Sequence, residues 1–134
     1  MLKQLSIYAE NKKGALQTMT NALYEAGINI WGSVTNDGAE SGINRMVVSD
    51  PDKAKEVLTE KGYLCRFVDV LAVEIEDKPG ALNTLLTALL DSNVNVDYTY
   101  LSFNRDSSTP VMILHTADPE EVEICLRAKG FKMV

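Results

Sequence analysis

The sequence is poor in the residues from which most catalytic and metal sites are built. Its 134 residues include one histidine, one tryptophan and two cysteines. With His115 alone, no histidine cluster can hold a metal. No Ser-His-Asp set, Walker loop or dinucleotide fingerprint is present either. Cys65 and Cys125 form no C-x-x-C pair, so both read as reduced structural thiols. No apolar run approaches the ~20 residues of a membrane span. The first residues, Met1 to Leu5, lack the apolar core of a signal peptide, so a cytoplasmic location is expected. Positive charge is also scarce. Thirteen Lys and Arg face nineteen Asp and Glu, a net charge of −6, which disfavours a nucleic-acid backbone as partner. These absences point away from an enzyme, a cofactor-bearing protein, a nucleic-acid binder and a membrane protein.

What is present is a repeat. A shift of 66 positions lays Lys12, Gly14, Ala15, Leu16, Thr18, Ala22, Leu23 and Asn29 on Lys78, Gly80, Ala81, Leu82, Thr84, Ala88, Leu89 and Asn95. Met46-Val47-Val48 falls on Met112-Ile113-Leu114. The shift then grows to 68, and Asp50-Pro51 meets Asp118-Pro119 while Lys61-Gly62-Tyr63 meets Lys129-Gly130-Phe131. The chain is therefore a tandem of two modules, each of about 65 residues. The expected boundary puts one module at 1–67 and the other at 68–134, with almost no linker. Each module alone is near the size where a single core is marginal.

Within a repeat the patterning alternates between periods. Leu5, Ile7 and Ala9 against Gln4, Ser6 and Tyr8 give the period of two of a half-buried strand over 2–9. Ala15, Leu16, Met19, Ala22, Leu23 and Ala26 form one stripe of a helix over 15–26, which Gly27 ends. A second strand is expected from Ile28, a turn at Asn36-Asp37-Gly38 within a polar stretch to Gly42, and a third strand at 43–49. Asp50 and Pro51 supply the N-cap and first residue of a second helix. A fourth strand covers 63–67. The second repeat retraces this with strands at 68–76, 94–103, 110–116 and 131–134 and a first helix at 81–92. The order strand-helix-strand-strand-helix-strand, twice, specifies an α+β fold: two ferredoxin-like βαββαβ modules in tandem, antiparallel sheets with helices on one face. The other sheet face is left free for solvent or a partner.

The junction before each first helix carries the chemistry. In Asp77-Lys78-Pro79-Gly80-Ala81-Leu82, Pro79 suits the start of a helix, and Gly80 lets the backbone approach another group closely. The helix N-terminus leaves N–H groups unpaired and carries partial positive charge, a seat for a carboxylate. Asn11-Lys12-Lys13-Gly14-Ala15-Leu16 is the counterpart, with Lys13 in place of the proline. Each of Asn29 and Asn95 follows its glycine by fifteen positions, a distance expected to bring the chain back beside the junction.

The topology, the Asp77-x-Pro79-Gly80-x-Leu82 motif and the segments Ile28-Asn29-Ile30 and Val94-Asn95-Val96 resemble ACT domains, small amino-acid-sensing modules. The resemblance covers essentially the whole chain. Repeat 1 departs from the motif at Lys13, which implies a looser loop. In that family the ligand lies between ACT units. It contacts the loop after the first strand, the start of the first helix and the head of the second strand. Carried over, this implies Asn11, Lys12, Gly14, Ala15, Leu16, Asn29 and Ile30 in repeat 1. In repeat 2 it implies Asp77, Lys78, Gly80, Ala81, Leu82, Asn95 and Val96. A zwitterion matches that set: N–H donors for its carboxylate, and Asn11, Asp77 or the Asn29 and Asn95 carbonyls for its ammonium.

The resemblance implies a small stand-alone regulatory protein, not an enzyme. It would bind a free amino acid between modules and signal by allosteric or assembly change, as a homodimer and with a metabolic enzyme as a further candidate partner. No cofactor is called for. Small Ala15 and Ala81 favour a medium-sized ligand, such as a branched-chain amino acid. The competing reading is a protein-interaction module or enzyme subunit without a ligand of its own. In the first helix Leu86 and Leu90 replace Thr20 and Tyr24, a broader apolar face expected to be buried, as in a dimer. Trp31 is expected at an interface, and His115 at the surface without a partner.

Overall fold

In the computed structural model the described residues are 1–36 and 41–134. The turn expected at Asn36-Asp37-Gly38 falls largely on residues 37–40, outside the described residues. The chain divides into two compact units. One is Lys3–Val68, and the other is Asp69–Val134 together with Met1–Leu2.

The first module contains β1 (Leu2–Glu10), α1 (Ala15–Glu25), β2 (Ile30–Asn36), β3 (Ser41–Val48) and α2 (Pro51–Glu60), and ends in the first part of β4 (Leu64–Glu74). β3 lies between β1 and β2, antiparallel to both, with Leu5 opposite Met46 and Val34 opposite Arg45. The second module continues β4 and adds α3 (Ala81–Asp91), β5 (Tyr98–Phe103), β6 (Pro110–His115), α4 (Pro119–Ala128) and the two-residue β7 (Lys132–Met133). β6 lies between β4 and β5, with Val73 opposite Met112 and Leu101 opposite Met112 on its other side. β7 pairs with the opposite edge of β4, Val73 against Met133. Each module is thus a βαββαβ unit with an antiparallel sheet.

Among the described residues the eight expected strands become seven, because the fourth strand of the first repeat and the first of the second are one element, β4. No turn residue separates Phe67 from Asp69, so nothing interrupts the extended backbone. The second strands start later than expected, at Ile30 and Tyr98. After α3 the chain spends Val94 N–H on Leu89 C=O, and Asn93 adopts φ 57°. The segment closes the helix before it joins the sheet.

Both helices of each module cover one sheet face. In the first, Met19, Ala22 and Leu23 of α1 and Ala54 and Leu58 of α2 bury against Leu5, Ile7, Met46 and Val48. In the second, Leu85, Leu89, Val122 and Leu126 bury against Leu71, Val73, Met112 and Leu114. Truncating any one of these leucines to alanine would cost about 2–5 kcal/mol. Asp50 caps α2, its carboxylate accepting from Lys53 N–H at 3.2 Å.

The opposite sheet face, left for solvent or a partner by the sequence pattern, is in part buried. Gln4 and Ser6 are buried and bonded to one another, Gln4 Nε2 donating to Ser6 Oγ at 3.1 Å. Val70, Ala72, Tyr100, Ser102, Val111 and Ile113 are buried on the same side of the second sheet. β1 is therefore covered on both faces along its middle, while Tyr8 near its end is exposed. Cys65 and Cys125 are free thiols. Burial pushes the Cys65 thiol up, partly offset by the charge of Lys55.

Candidate functional site

The two strand-to-helix junctions fold alike. Lys12 N–H bonds Glu10 C=O at 3.1 Å, Ala15 N–H bonds Lys12 C=O at 3.1 Å and Thr18 N–H bonds Gly14 C=O at 2.9 Å. The second module repeats these bonds from Lys78, Ala81 and Thr84 at 3.1, 3.2 and 2.8 Å. Thr18 Oγ1 and Thr84 Oγ1 each donate to the same glycine carbonyl at 2.9 Å. Lys13 in place of proline leaves this bonding pattern intact, so the looser loop expected of repeat 1 is not visible in its hydrogen bonds.

Gly14 and Gly80 are the N-caps of α1 and α3, at φ 83° and 85°. A Cβ at either would meet nothing within 4 Å. The left-handed backbone is by itself enough to require glycine at both positions. Pro79 precedes this cap, whereas Pro51 and Pro119 occupy the first turns of α2 and α4. Neither α1 nor α3 has a side-chain cap or an acidic residue in its first turn. The helix starts therefore keep backbone donors and uncompensated positive potential, the property a carboxylate needs.

The rest of the expected set is distributed as follows. Asn11, Lys12, Asp77 and Lys78 are exposed loop residues, and the lysines pair with neighbours, Glu10 at 3.2 Å and Glu76 at 2.7 Å. Ala15 and Ala81 are half-buried, and Leu16 and Leu82 exposed. Ile30 and Val96 pack against the two cores. Asn29 is held by Ser49, its N–H donating to Ser49 Oγ and its carbonyl accepting from Ser49 N–H, both at 2.9 Å. Asn95 Nδ2 donates to Asp97 Oδ1 at 3.1 Å.

Within one module these residues do not converge. The Gly80 loop lies at the end of the sheet where Ile75 N–H bonds Pro110 C=O and Phe103 faces Pro110. Asn95 lies at the other end, where Asp97 N–H bonds His115 C=O. Eleven helical residues separate them, a rise of about 16 Å. The return of the chain beside its own junction, expected from the fifteen-residue spacing, does not occur. An odd number of element crossings brings the chain to the far end.

Around the second junction the structure supplies residues the sequence reading missed. A cavity of about 380 Å³ is lined by Asp77, Lys78, Ala81 and Leu82 with Leu101, Phe103, Pro110 and Met112. Its floor is apolar and its rim carries one cation, Lys78, and two carboxylates, Glu76 and Asp77. The signal was available. Leu101 and Phe103 stand where the repeat has Thr35 and Asp37, a polar-to-apolar change on an exposed strand. His115 also has partners, contrary to expectation: its Nδ1 lies 2.8 Å from Asp97 Oδ2 and its ring stacks on Tyr98 at 4.9 Å.

Residues 1–133 match the family described as ACT domain pair. The chain belongs to that family. The structure is similar to protein BT0572 from Bacteroides thetaiotaomicron, with a TM-score of 0.91 and 30% identity, over 99% of this chain and 91% of that one. It is also similar in fold to regulatory subunits of aspartate kinase. The ligand-free subunit from Thermus thermophilus gives a TM-score of 0.66 at 18% identity, covering 96% of this chain and 91% of that one. The subunit from Thermus flavus gives 0.61 at 20% identity with the same coverage. No curated protein matches the sequence. Among the described residues no helix of this ACT domain pair is long and apolar enough to cross a membrane, and no group of three or more His, Cys, Asp or Glu side chains is placed to hold a metal.

Proposed function

We propose that this ACT domain pair binds a free, medium-sized apolar amino acid at the junction before α3 and acts as a regulatory protein. The cavity beside that junction carries the reading. The uncapped start of α3 offers donors to a carboxylate, Asp77 answers an ammonium, and Leu101, Phe103 and Met112 receive an apolar side chain. The first junction has the same backbone but polar Thr35 at the position of Leu101, so the two sites are unequal. Asn29, Asn95, Ile30 and Val96 lie at the opposite ends of their modules. They join a ligand only if another ACT unit brings its strand head to the loop, and a homodimer serves that purpose. Output then comes from differential affinity for two assemblies, or from contact with a metabolic enzyme. The protein acts without chemistry of its own.

A protein-interaction role without ligand has an observation in its favour. Leu86 is 37% exposed, Leu90 75%, Leu101 49% and Phe103 54%. The broader apolar face of α3 is open in the single chain, as an interface would be before association.

A thermal-shift screen against the common amino acids separates the readings. A ligand at 100 times its Kd adds about 2.7 kcal/mol, a rise of several degrees for this size. One amino acid or a related few raising the midpoint supports the sensor. A flat response to all, with a concentration-dependent dimer, supports the interaction module.

A further inference from the structure

In the first module the gap between the end of α1 and the start of α2 is bridged by the chain's own cation. The Lys53 ammonium donates to Ala26 C=O at 2.9 Å. The repeat lays Ala26 on Ser92, Asp50 on Asp118 and Lys53 on Glu121. The second module thus presents a carboxylate where the first presents an ammonium, and a cavity of about 420 Å³ lies there, lined by Ser92, Asp118 and Glu121 among others.

Three further observations describe that cavity. Its wall carries Asp97, Asp118 and Glu121 and no lysine or arginine. Asp118 makes no capping hydrogen bond, unlike its counterpart Asp50. Thr116, also on the wall, is 2% exposed and its hydroxyl has no hydrogen-bond partner. It follows Leu114 by two residues, so its side chain turns to the helix-covered face, where the cavity is. An unpaired buried hydroxyl costs stability until an occupant bonds it. The start of α4 disfavours a cation by its dipole, but the Asp118 and Glu121 carboxylates on the wall outweigh that partial charge.

We propose that this cavity is a binding site for a primary ammonium group on a short alkyl chain. Lys53 is the internal template: a primary alkylammonium, seated in the equivalent gap of the first module. In the second module an external amine takes that place. Its N–H groups meet Glu121, Asp118 and the Thr116 hydroxyl, and its carbon chain lies against Val94 and Val122. The site is at the opposite end of the module from the Gly80 junction; Asn95 is on its wall, but binding of an amine there does not rest on the amino-acid reading.

The test is a calorimetric titration of the full chain with n-butylammonium chloride at constant ionic strength. Saturable binding is expected, with tetramethylammonium, which has charge but no N–H, at least tenfold weaker. Glu121→Lys installs the cation of the first module and should weaken butylammonium at least tenfold. Glu120→Lys makes the same charge change in the same turn, away from the cavity wall, and should leave affinity within twofold. No saturation, equal binding of the two cations, or equal loss in both lysine variants overturns the proposal. Should Glu121→Lys fail to fold, Thr116→Val removes only the hydroxyl. It should leave the melting point unchanged or higher and weaken butylammonium at least threefold, and unchanged affinity would again overturn the site.

Discussion

Lys132 Nζ lies 2.9 Å from Glu74 Oε2, tying the closing strand of the second module to the strand that opens it. The Glu74 side chain is only 11% exposed, and Ser107 Oγ donates to its other oxygen at 3.3 Å. The hydrogen bond from Lys132 holds the Glu74 carboxyl below its ordinary value. Thr109 and Ser107 add to this against an opposing effect of burial. A carboxyl whose pKa is lower folded than unfolded stabilises the fold above the unfolded value, about 4.3, and that contribution is lost as pH falls through the folded value. Glu74→Gln should therefore melt below the wild type at pH 7, and the gap should narrow progressively as pH falls below about 4.3. Parallel melts of the two proteins across that range decide it. A gap that stays the same on acidification would show a packing defect instead of titration.

Gly80 sits at φ 85° with open space where a Cβ would go. Any loss on substitution is then backbone strain rather than a clash. Gly80→Ala should cost about 1–2 kcal/mol in urea unfolding, and Gly80→Asn clearly less, because asparagine tolerates the left-handed region. Equal losses for the two would mean that the junction does not retain this backbone in solution.

Much of the fold was legible because a tandem repeat states each pattern twice. Two helices that both start with Gly-Ala-Leu and two that both start with Asp-Pro fix the order of elements. The merger of two strands into β4 was harder to see, since an uninterrupted run of extended residues gives no count of the strands it contains. Gln4 and Ser6 read as a solvent face because they are polar. They are buried with Gln4 Nε2 donating to Ser6 Oγ, a pairing that alternation alone does not reveal. The site was half legible. Glycine and helix start announced the donor end. The place of Asn95 did not follow from spacing, because a helix carries the chain to the far end of the sheet. Leu101 and Phe103 are informative only beside Thr35 and Asp37, a comparison between repeats rather than within one.

The residue after α3 is another such difference. Asn93 takes φ 57° where the first module has Gly27 at φ 72°. Glycine adopts this conformation without a Cβ penalty and is the commoner terminator. Asn93→Gly should raise stability by up to about 1 kcal/mol, and Gly27→Asn should lower it by a similar amount. Chemical denaturation of the pair gives both signs at once. A loss in Asn93→Gly would mean that the asparagine side chain makes contacts worth more than the strain.

The strand-head asparagines and the apolar floor test separate halves of the amino-acid site. Asn29 and Asn95 are exposed, so replacing either by alanine should change stability by no more than about 0.5 kcal/mol. If a neighbouring unit carries a strand head to the Gly80 or Gly14 loop, each variant should weaken amino-acid binding, measured by calorimetry with the ligand found in the screen. Unchanged affinity in both removes the asparagines from the site and leaves the cavity of a single module as the whole of it. The floor is tested by Leu101→Thr, which installs the first-module residue on a half-exposed strand position. Removing some 40 Å² of apolar contact at about 25 cal/mol per Å² costs about 1 kcal/mol, a loss of roughly fivefold in affinity for an apolar amino acid. The same variant should scarcely affect glycine, which has no side chain to place there. An equal loss for both would put the effect in the fold, and no loss for either would move the ligand away from β5.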